Sequence, residues 1–237
     1  MTFIAPHYWR KRKHSFLSFL KKDLYLVKTP GWLKKLFPGC VWDIPVKDQS
    51  IFLSFDDGPH PAITPFVLDE LDKYGARATF FCIGDNVKKF PLVYQRLLDQ
   101  GHTVGNHTMH HINGWKTTDE AYIGDIREAA MSIRSSLFRP PYGRIKRSQV
   151  KKIASMDPPF ETIMWDVLAG DWESSLSNEK CLNQVMKNIR PGSIIVFHDS
   201  EKAWERMSYC LPRLLKTCSD LGYRFLAIPA EQSNCKL

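Results

Sequence analysis

Ile51-Phe52-Leu53-Ser54-Phe55-Asp56-Asp57-Gly58-Pro59 joins an apolar run to a turn, and two adjacent carboxylates stand at the junction. Fifty residues later the chain offers His107-Thr108-Met109-His110-His111. Asp-Gly-Pro is also a common turn signal, and a lone His is usually structural. Together the two motifs argue for chemistry: one Asp and two His can hold a divalent ion and leave positions open for water and substrate. The second Asp is then free to act as a base.

Working outward, β-branched or aromatic runs bounded by turn residues recur at Ile51 to Phe55, Ala78 to Ile83, Thr103 to Val104, Leu137 to Phe138, Thr162 to Trp165, Ser193 to Phe197 and Arg224 to Ile228. Helical spacing of apolar residues marks Thr64 to Tyr74, Val87 to Leu98, Asp119 to Leu137, Ser148 to Ala154, Asn178 to Ile189 and Ala203 to Leu221. Seven strands alternating with helices predict an α/β protein, either a barrel or an open parallel sheet. On that frame Asp56 and Asp57 follow the first run, His107 the third, Arg139 the fourth, Asp171 the fifth, and His198-Asp199 the sixth. All fall at carboxyl ends of strands, the rim where parallel α/β architectures assemble active sites.

These residues resemble the polysaccharide deacetylase family, the NodB-homology domain of carbohydrate esterase family 4, whose five motifs are matched in order. Ser54-Phe55-Asp56-Asp57-Gly58-Pro59 resembles the first and His107-Thr108-Met109-His110-His111 the second. Arg139-Pro140-Pro141-Tyr142-Gly143 resembles the third, Trp165 to Trp172 the fourth, and Ile194-Ile195-Val196-Phe197-His198-Asp199 the fifth. The resemblance covers about residues 48 to 229. It implies a distorted (β/α)7 barrel with a divalent metal, zinc foremost and Co2+, Mn2+ or Ni2+ as alternatives, held by Asp57, His107 and His111. It also implies Asp56 as base, held by Arg139, and His198 as acid, paired with Asp171. The backbone N–H of Tyr142 would serve the oxyanion, while Trp172 and Val196 would wall the acetyl pocket. Spacing alone leaves His110 open beside His111; the family pattern requires the four-residue step, which a helical turn would bring to one face. Many relatives carry a second acidic residue where this chain has Leu168, a leucine in place of Val196, and a threonine in place of Ser54.

The chain has 237 residues, 43% of them hydrophobic, compatible with one well-buried core. Its six cysteines are scattered with no Cys-x-x-Cys pair, so neither a structural zinc site nor a disulfide framework is expected. The net charge of +8 is confined to residues 1–40, where nine Lys or Arg face only Asp23; beyond them 24 basic residues balance 24 acidic ones. Phe16, Leu17, Phe19, Leu20, Trp32, Leu33, Leu36 and Phe37 interleave with that charge. We therefore divide the chain into a basic amphipathic arm, residues 1–47, and a deacetylase domain, residues 48–237. The arm reads either as an anchor to an anionic membrane surface or as a segment packed on the barrel, with Leu33, Leu36 and Phe37 covering its open bottom. Its pattern is too charged and interrupted for a cleavable signal peptide or a transmembrane helix, which predicts a cytoplasmic or membrane-peripheral protein. Nucleic acid is not expected as a partner, because the body is neutral.

Taken together, the sequence predicts an N-deacetylase of N-acetylglucosamine-containing glycans such as peptidoglycan, chitin-like oligomers or a precursor. The alternatives are a deacetylase or deformylase acting on an ester or lipid-linked sugar, and a non-catalytic glycan- or membrane-binding module, which the intact catalytic set disfavours. Oligomeric state is not legible in it.

Overall fold

The structure is a computed structural model that describes residues 25–230. Among the described residues there are nine strands: β1 Cys40–Val41, β2 Ser50–Asp56, β3 Thr79–Cys82, β4 Thr103–Asn106, β5 Leu137–Phe138, β6 Glu161–Ile163, β7 Val167–Leu168, β8 Ile194–His198 and β9 Arg224–Phe225. They form one parallel sheet in the order β1-β6-β5-β4-β3-β2-β8-β7, with β9 pairing the start of β2. β6 lies next to one end of that order and β7 is the other end, yet only Met164, Trp165 and Asp166 separate them. Such a hop spans at most about 14 Å at roughly 3.3–3.6 Å per residue. The two ends of the sheet therefore face each other, and the sheet curls into the distorted barrel without a ladder closing it.

Alternation along the strands sorts side chains into two layers. Phe52, Phe81, Leu137, Ile163 and Ile194 form an inner cluster, while Ile51, Leu53, Phe55, Phe80, Ile195 and Phe197 pack outward. Outside lie helices α1 Gly31–Leu36, α2 Ile63–Asp72, α3 Gly84–Lys89, α4 Pro91–Asp99, α5 Asp119–Ala130, α6 Arg147–Ala154, α7 Asn178–Met186 and α8 Trp204–Asp220. The longest, α8, buries Met207, Cys210, Leu211, Leu214, Leu215 and Cys218, a three- and four-residue spacing that keeps one stripe on the sheet. Thr118 caps α5 by accepting from Ala121 N–H, and Ser177 caps α7 in the same way from Lys180.

Several sequence boundaries shift, each for a local reason. The helix expected over Val87 to Leu98 is two, α3 and α4, because Pro91 drives Phe90 out of the helical region, to φ −127° and ψ 56°. The helix expected over Asp119 to Leu137 ends at Ala130, and the chain turns before β5. β1 and β7 were not anticipated; two-residue strands are too short for any periodicity. The five described cysteines, Cys40, Cys82, Cys181, Cys210 and Cys218, are free and buried.

Residues 1–24, with six of the nine basic residues assigned to the arm and its Phe16 to Leu20 segment, lie outside the described residues, as does Cys235. From Tyr25 onward the segment is bound to the barrel. Leu168 N–H donates to Val27 O at 2.8 Å, Thr29 N–H to Asp166 O at 3.0 Å, and β1 pairs with β6. Asp166, fully buried, accepts from Lys28 Nζ at 2.5 Å, Lys34 Nζ at 2.7 Å and Ser193 Oγ at 2.7 Å, which rivets the segment across the open seam. These partners, Lys28 foremost, outweigh burial and hold its carboxyl below the usual range. The barrel floor is covered by Val41, Ile44 and Val46 with Ile228. This corrects the expectation for Leu33, Leu36 and Phe37: Leu33 and Phe37 pack instead on the outer cluster with Trp42 and Ile153, and Leu36 is exposed.

Candidate active site

Strand register assembles the first half of the site. Asp56, the last residue of β2, lies opposite His198, the last of β8, and Ser54 lies opposite Val196. Asp56, Ser54, His198 and Val196 share the inner parity of their strands, so they stack above Phe52 and Ile194. Arg139, immediately after β5, is fully buried and reaches across this interior. Its Nη1 donates to Asp56 Oδ1 at 2.7 Å and to Ser54 Oγ at 2.8 Å, its Nε to Ile163 O at 3.2 Å, and its Nη2 to Met164 O at 3.0 Å. The guanidinium also lies 3.9 Å over the Phe81 ring. Burial lowers the Arg139 pKa, and the Asp56 charge opposes that shift.

Strained backbone builds the other half. The four non-Gly residues with positive φ among the described residues are Asp57 (82°), Thr108 (66°), His111 (54°) and Tyr142 (59°), and all four are at this rim. Each such conformation costs on the order of 1–3 kcal/mol and persists only where its surroundings impose it. At Asp57 it lets two adjacent carboxylates serve one mouth rather than opposite faces of the sheet. The turn closes on Gly58, where any Cβ would run into the buried Asp199 carboxylate beneath it. Asp199 accepts from Thr64 Oγ1, and burial pushes its carboxyl up to about 7.

Residues 107–111 are not helical, which corrects the helical-turn picture of the two imidazoles. Asn106 Oδ1 accepts from Thr108 N–H at 2.8 Å, Thr108 Oγ1 from Ile112 N–H at 3.3 Å, and Asp125 Oδ2 from the N–H groups of Met109 (2.8 Å) and His110 (3.1 Å). This wrapped loop brings His107 Nε2 to 3.8 Å and His111 Nε2 to 3.2 Å from Asp57 Oδ1. His110 turns the other way, its Nδ1 2.6 Å from Asp125 Oδ1, a hydrogen bond that raises its pKa. The choice between His110 and His111 is thus decided by the loop's fold.

The three atoms suit a divalent ion. Donors bound at about 2.0–2.1 Å around a tetrahedral zinc are themselves about 3.4 Å apart, close to the separations at Asp57. His107 Nδ1–H donates to Arg139 O at 2.8 Å, which leaves Nε2 bare. Burial lowers the His107 pKa to about 4, so the imidazole is the neutral form a metal needs. His111 Nδ1 lies 3.1 Å from the Tyr142 hydroxyl, a contact that orients its Nε2 toward Asp57. At Asp57 burial is outweighed chiefly by the hydrogen bond from His111 and the charge of His198, which hold the carboxyl well below its ordinary range.

On the opposite wall Asp171, fully buried, accepts from both His198 N–H and His198 Nδ1–H at 2.8 Å. Burial alone would lower the His198 pKa; the Asp171 charge and hydrogen bond override it and raise it to about 9. Trp172 sets its ring against His198, centroids 4.9 Å apart and planes at 74°. The site residues expected from the sequence, Asp56, Asp57, His107, His111, Arg139, Tyr142, Asp171, Trp172, Val196 and His198, are therefore on this rim or in the interior beneath it. Unanticipated supports are Asp125 and Tyr25, which belong to no motif, and the hydroxyl of Tyr142, whose motif implied a role only for its backbone N–H; only tertiary contact reveals them.

A curled parallel sheet with a carboxylate pair, a two-His cradle and a His–Asp pair at its carboxyl rim is an arrangement that could hold a metal ion in a hydrolase-type site. The polysaccharide deacetylase family model matches residues 43–158. A peptidoglycan-N-acetylglucosamine deacetylase of Bacillus cereus is 34% identical over 79% of this chain and 90% of the relative. A chitooligosaccharide deacetylase of Azorhizobium caulinodans is 34% identical over 64% of this chain and 74% of the relative. Among solved structures, a peptidoglycan N-acetylglucosamine deacetylase bound to a naphthalenyl N-oxidanyl-benzamide matches with a TM-score of 0.76 at 30% identity, covering 85% of this chain and 95% of that one. The chain belongs to the polysaccharide deacetylase family.

Proposed function

We propose that this protein is a metal-dependent N-deacetylase of N-acetylglucosamine-containing glycans. The observation that carries the reading is the division of the carboxylate pair: Asp57 faces the Nε2 atoms of two imidazoles, and Asp56 is clamped by Arg139. A divalent ion held by Asp57, His107 and His111, zinc by its preference for mixed N and O donors, would supply the charge that acidifies water and polarises the acyl carbonyl. Arg139 occupies Asp56 Oδ1, so Asp56 Oδ2 takes the proton of the attacking water. The water oxygen joins the acyl carbon, and the backbone N–H of Tyr142 donates to the oxyanion. His198 gives its proton to the nitrogen as the C–N bond breaks, and acetate and a free amine leave. Trp172 and Val196 wall the space for the acetyl methyl.

The substrate class is supported by the named specificities of the relatives, peptidoglycan N-acetylglucosamine and chitooligosaccharides. Purified protein reconstituted with Zn2+, Co2+, Mn2+ or Ni2+ should release acetate from peptidoglycan or chito-oligomers. Acetate from acetylated xylan alone would transfer the activity to esters.

One consequence is a pH limb. His198 must carry its proton to donate it, so kcat should fall as pH rises through about 9. Replacing Asp171 by Asn removes the largest charge that raises the pKa and leaves burial opposed only by the weaker effects of Asp57 and Asp56. The alkaline limb should then move to lower pH, toward the ordinary imidazole value of about 6.5. A pH–rate profile that keeps its limb in the variant assigns the acid elsewhere.

The arm is read as a contact to anionic lipid, which would place the enzyme peripherally on a membrane. Its charge supports this, as do Trp32 and Leu36, 62% and 43% exposed on α1 beside Lys35. Among the described residues no helix is long and apolar enough to cross a membrane. The full chain should sediment with anionic vesicles, less so in high salt, since exposed charges are screened over about 8 Å at physiological ionic strength. A chain starting at Tyr25 should lose vesicle binding and keep its melting temperature. One starting at Trp42 should melt lower, because it strips β1 and the seam ligands Lys28 and Lys34. Equal sedimentation of the full chain and the chain starting at Tyr25 would confine the anchor to α1, and failure of the full chain to sediment would exclude it.

A further inference from the structure

Tyr25 precedes the family-matched residues 43–158, yet it touches the site. Its ring packs on Trp172, centroids 5.2 Å apart and planes at 57°, so Trp172 is held between Tyr25 and His198. The approach is built rather than incidental. Residues 27–29 extend the sheet antiparallel to β7 through the Lys28–Val167 bridge. Thr29 Oγ1 donates to Trp165 O at 2.7 Å, and Lys28 Nζ to Asp166 Oδ2 and to Asn188 O at 2.9 Å. Gln184 Nε2 donates to the Tyr25 hydroxyl at 3.2 Å. Gly170, at φ +69°, is the notch that admits the ring: any Cβ there would collide with the Tyr25 hydroxyl and ring carbons.

We propose that Tyr25 is a positioning residue that fixes the Trp172 wall, so that the N-terminal strap sets the enzyme's discrimination against acyl groups larger than acetyl. The proposal rests on Trp172 being the wall of the acyl pocket, as read above. An indole held on two sides cannot swing away to admit an extra methylene; with Tyr25 truncated, one of the two restraints is gone. An aromatic contact of this kind biases a side-chain equilibrium by roughly three- to tenfold.

The test uses the full chain, zinc-reconstituted, as wild type, Tyr25→Ala and Tyr25→Phe. It compares kcat/KM for N-acetyl and N-propionyl chito-oligomers of equal length. The indole N–H resonance of Trp172, assigned by its loss in Trp172→Phe, is followed in parallel. Tyr25→Ala should raise the propionyl-to-acetyl ratio about three- to tenfold and shift the Trp172 resonance, and Tyr25→Phe should restore both. A purely structural strap would lower the melting temperature and leave the ratio unchanged, which overturns the proposal. An unmoved Trp172 resonance overturns it whatever the substrate. Absence of acyl release by the wild type would sink the deacetylase reading, and the resonance would still decide whether Tyr25 positions Trp172.

Discussion

Asp56→Asn is expected to lower kcat by about 10²- to 10⁴-fold, the usual worth of a positioned general base, while the protein still binds one metal ion. Asn keeps the shape of the carboxylate and can still accept from Arg139, but it takes no proton at neutral pH. The proposed metal donors, Asp57 Oδ1 and the two Nε2 atoms, belong to other side chains. Asp57→Ala, His107→Ala or His111→Ala should behave in the opposite way and lose stoichiometric metal, since each removes one of three protein ligands. Metal content by elemental analysis and acetate release on the same samples separate the two classes. Near-normal turnover by metal-loaded Asp56→Asn would assign the base to another group.

Arg139→Met should destabilise the fold by about 3–5 kcal/mol, because it leaves the Asp56 carboxylate buried without its counter-charge. For a chain of this size that is a fall of about 6–20 °C in melting temperature. Ser54 Oγ and the carbonyls of Ile163 and Met164 lose donors in the same step. Adding Asp56→Leu should recover much of the stability and none of the activity, since an apolar pair of similar volume avoids the desolvation of both charges. Denaturant midpoints of the two single variants and the double variant measure the coupling. If the double variant is no more stable than Arg139→Met alone, the cost lies in the lost backbone partners rather than in the stranded charge.

The activity and the stability of this protein thus meet in one buried pair, and that pair shows what could be read in advance. Asp56 and Arg139 are 83 residues apart in the chain, and each follows a short strand-like run. Because strands of a parallel sheet run the same way, residues just past their carboxyl ends share a rim, so the neighbourhood was legible before any contact was known. Which atoms meet was not. His110 and His111 are chemically identical, and the loop's Asp125 and Asn106 hydrogen bonds turn one toward Asp57 and the other away.

The amino-acid sequence by itself determined the alternation of strand and helix, the placement of Asp56, Asp57, His107, Arg139, Asp171 and His198 at one rim, and the confinement of net charge to residues 1–40. Those properties are local: periodicity, turn residues and composition are all written within a few positions of one another. The tertiary structure alone decided that the sheet curls until β6 and β7 face each other, that Asp166 binds the segment from Lys28 to Lys34 across the seam, and that Tyr25 reaches Trp172. The last two join residues more than a hundred positions apart through buried charge and ring packing. Their energy depends on the burial and partners that only the assembled chain supplies.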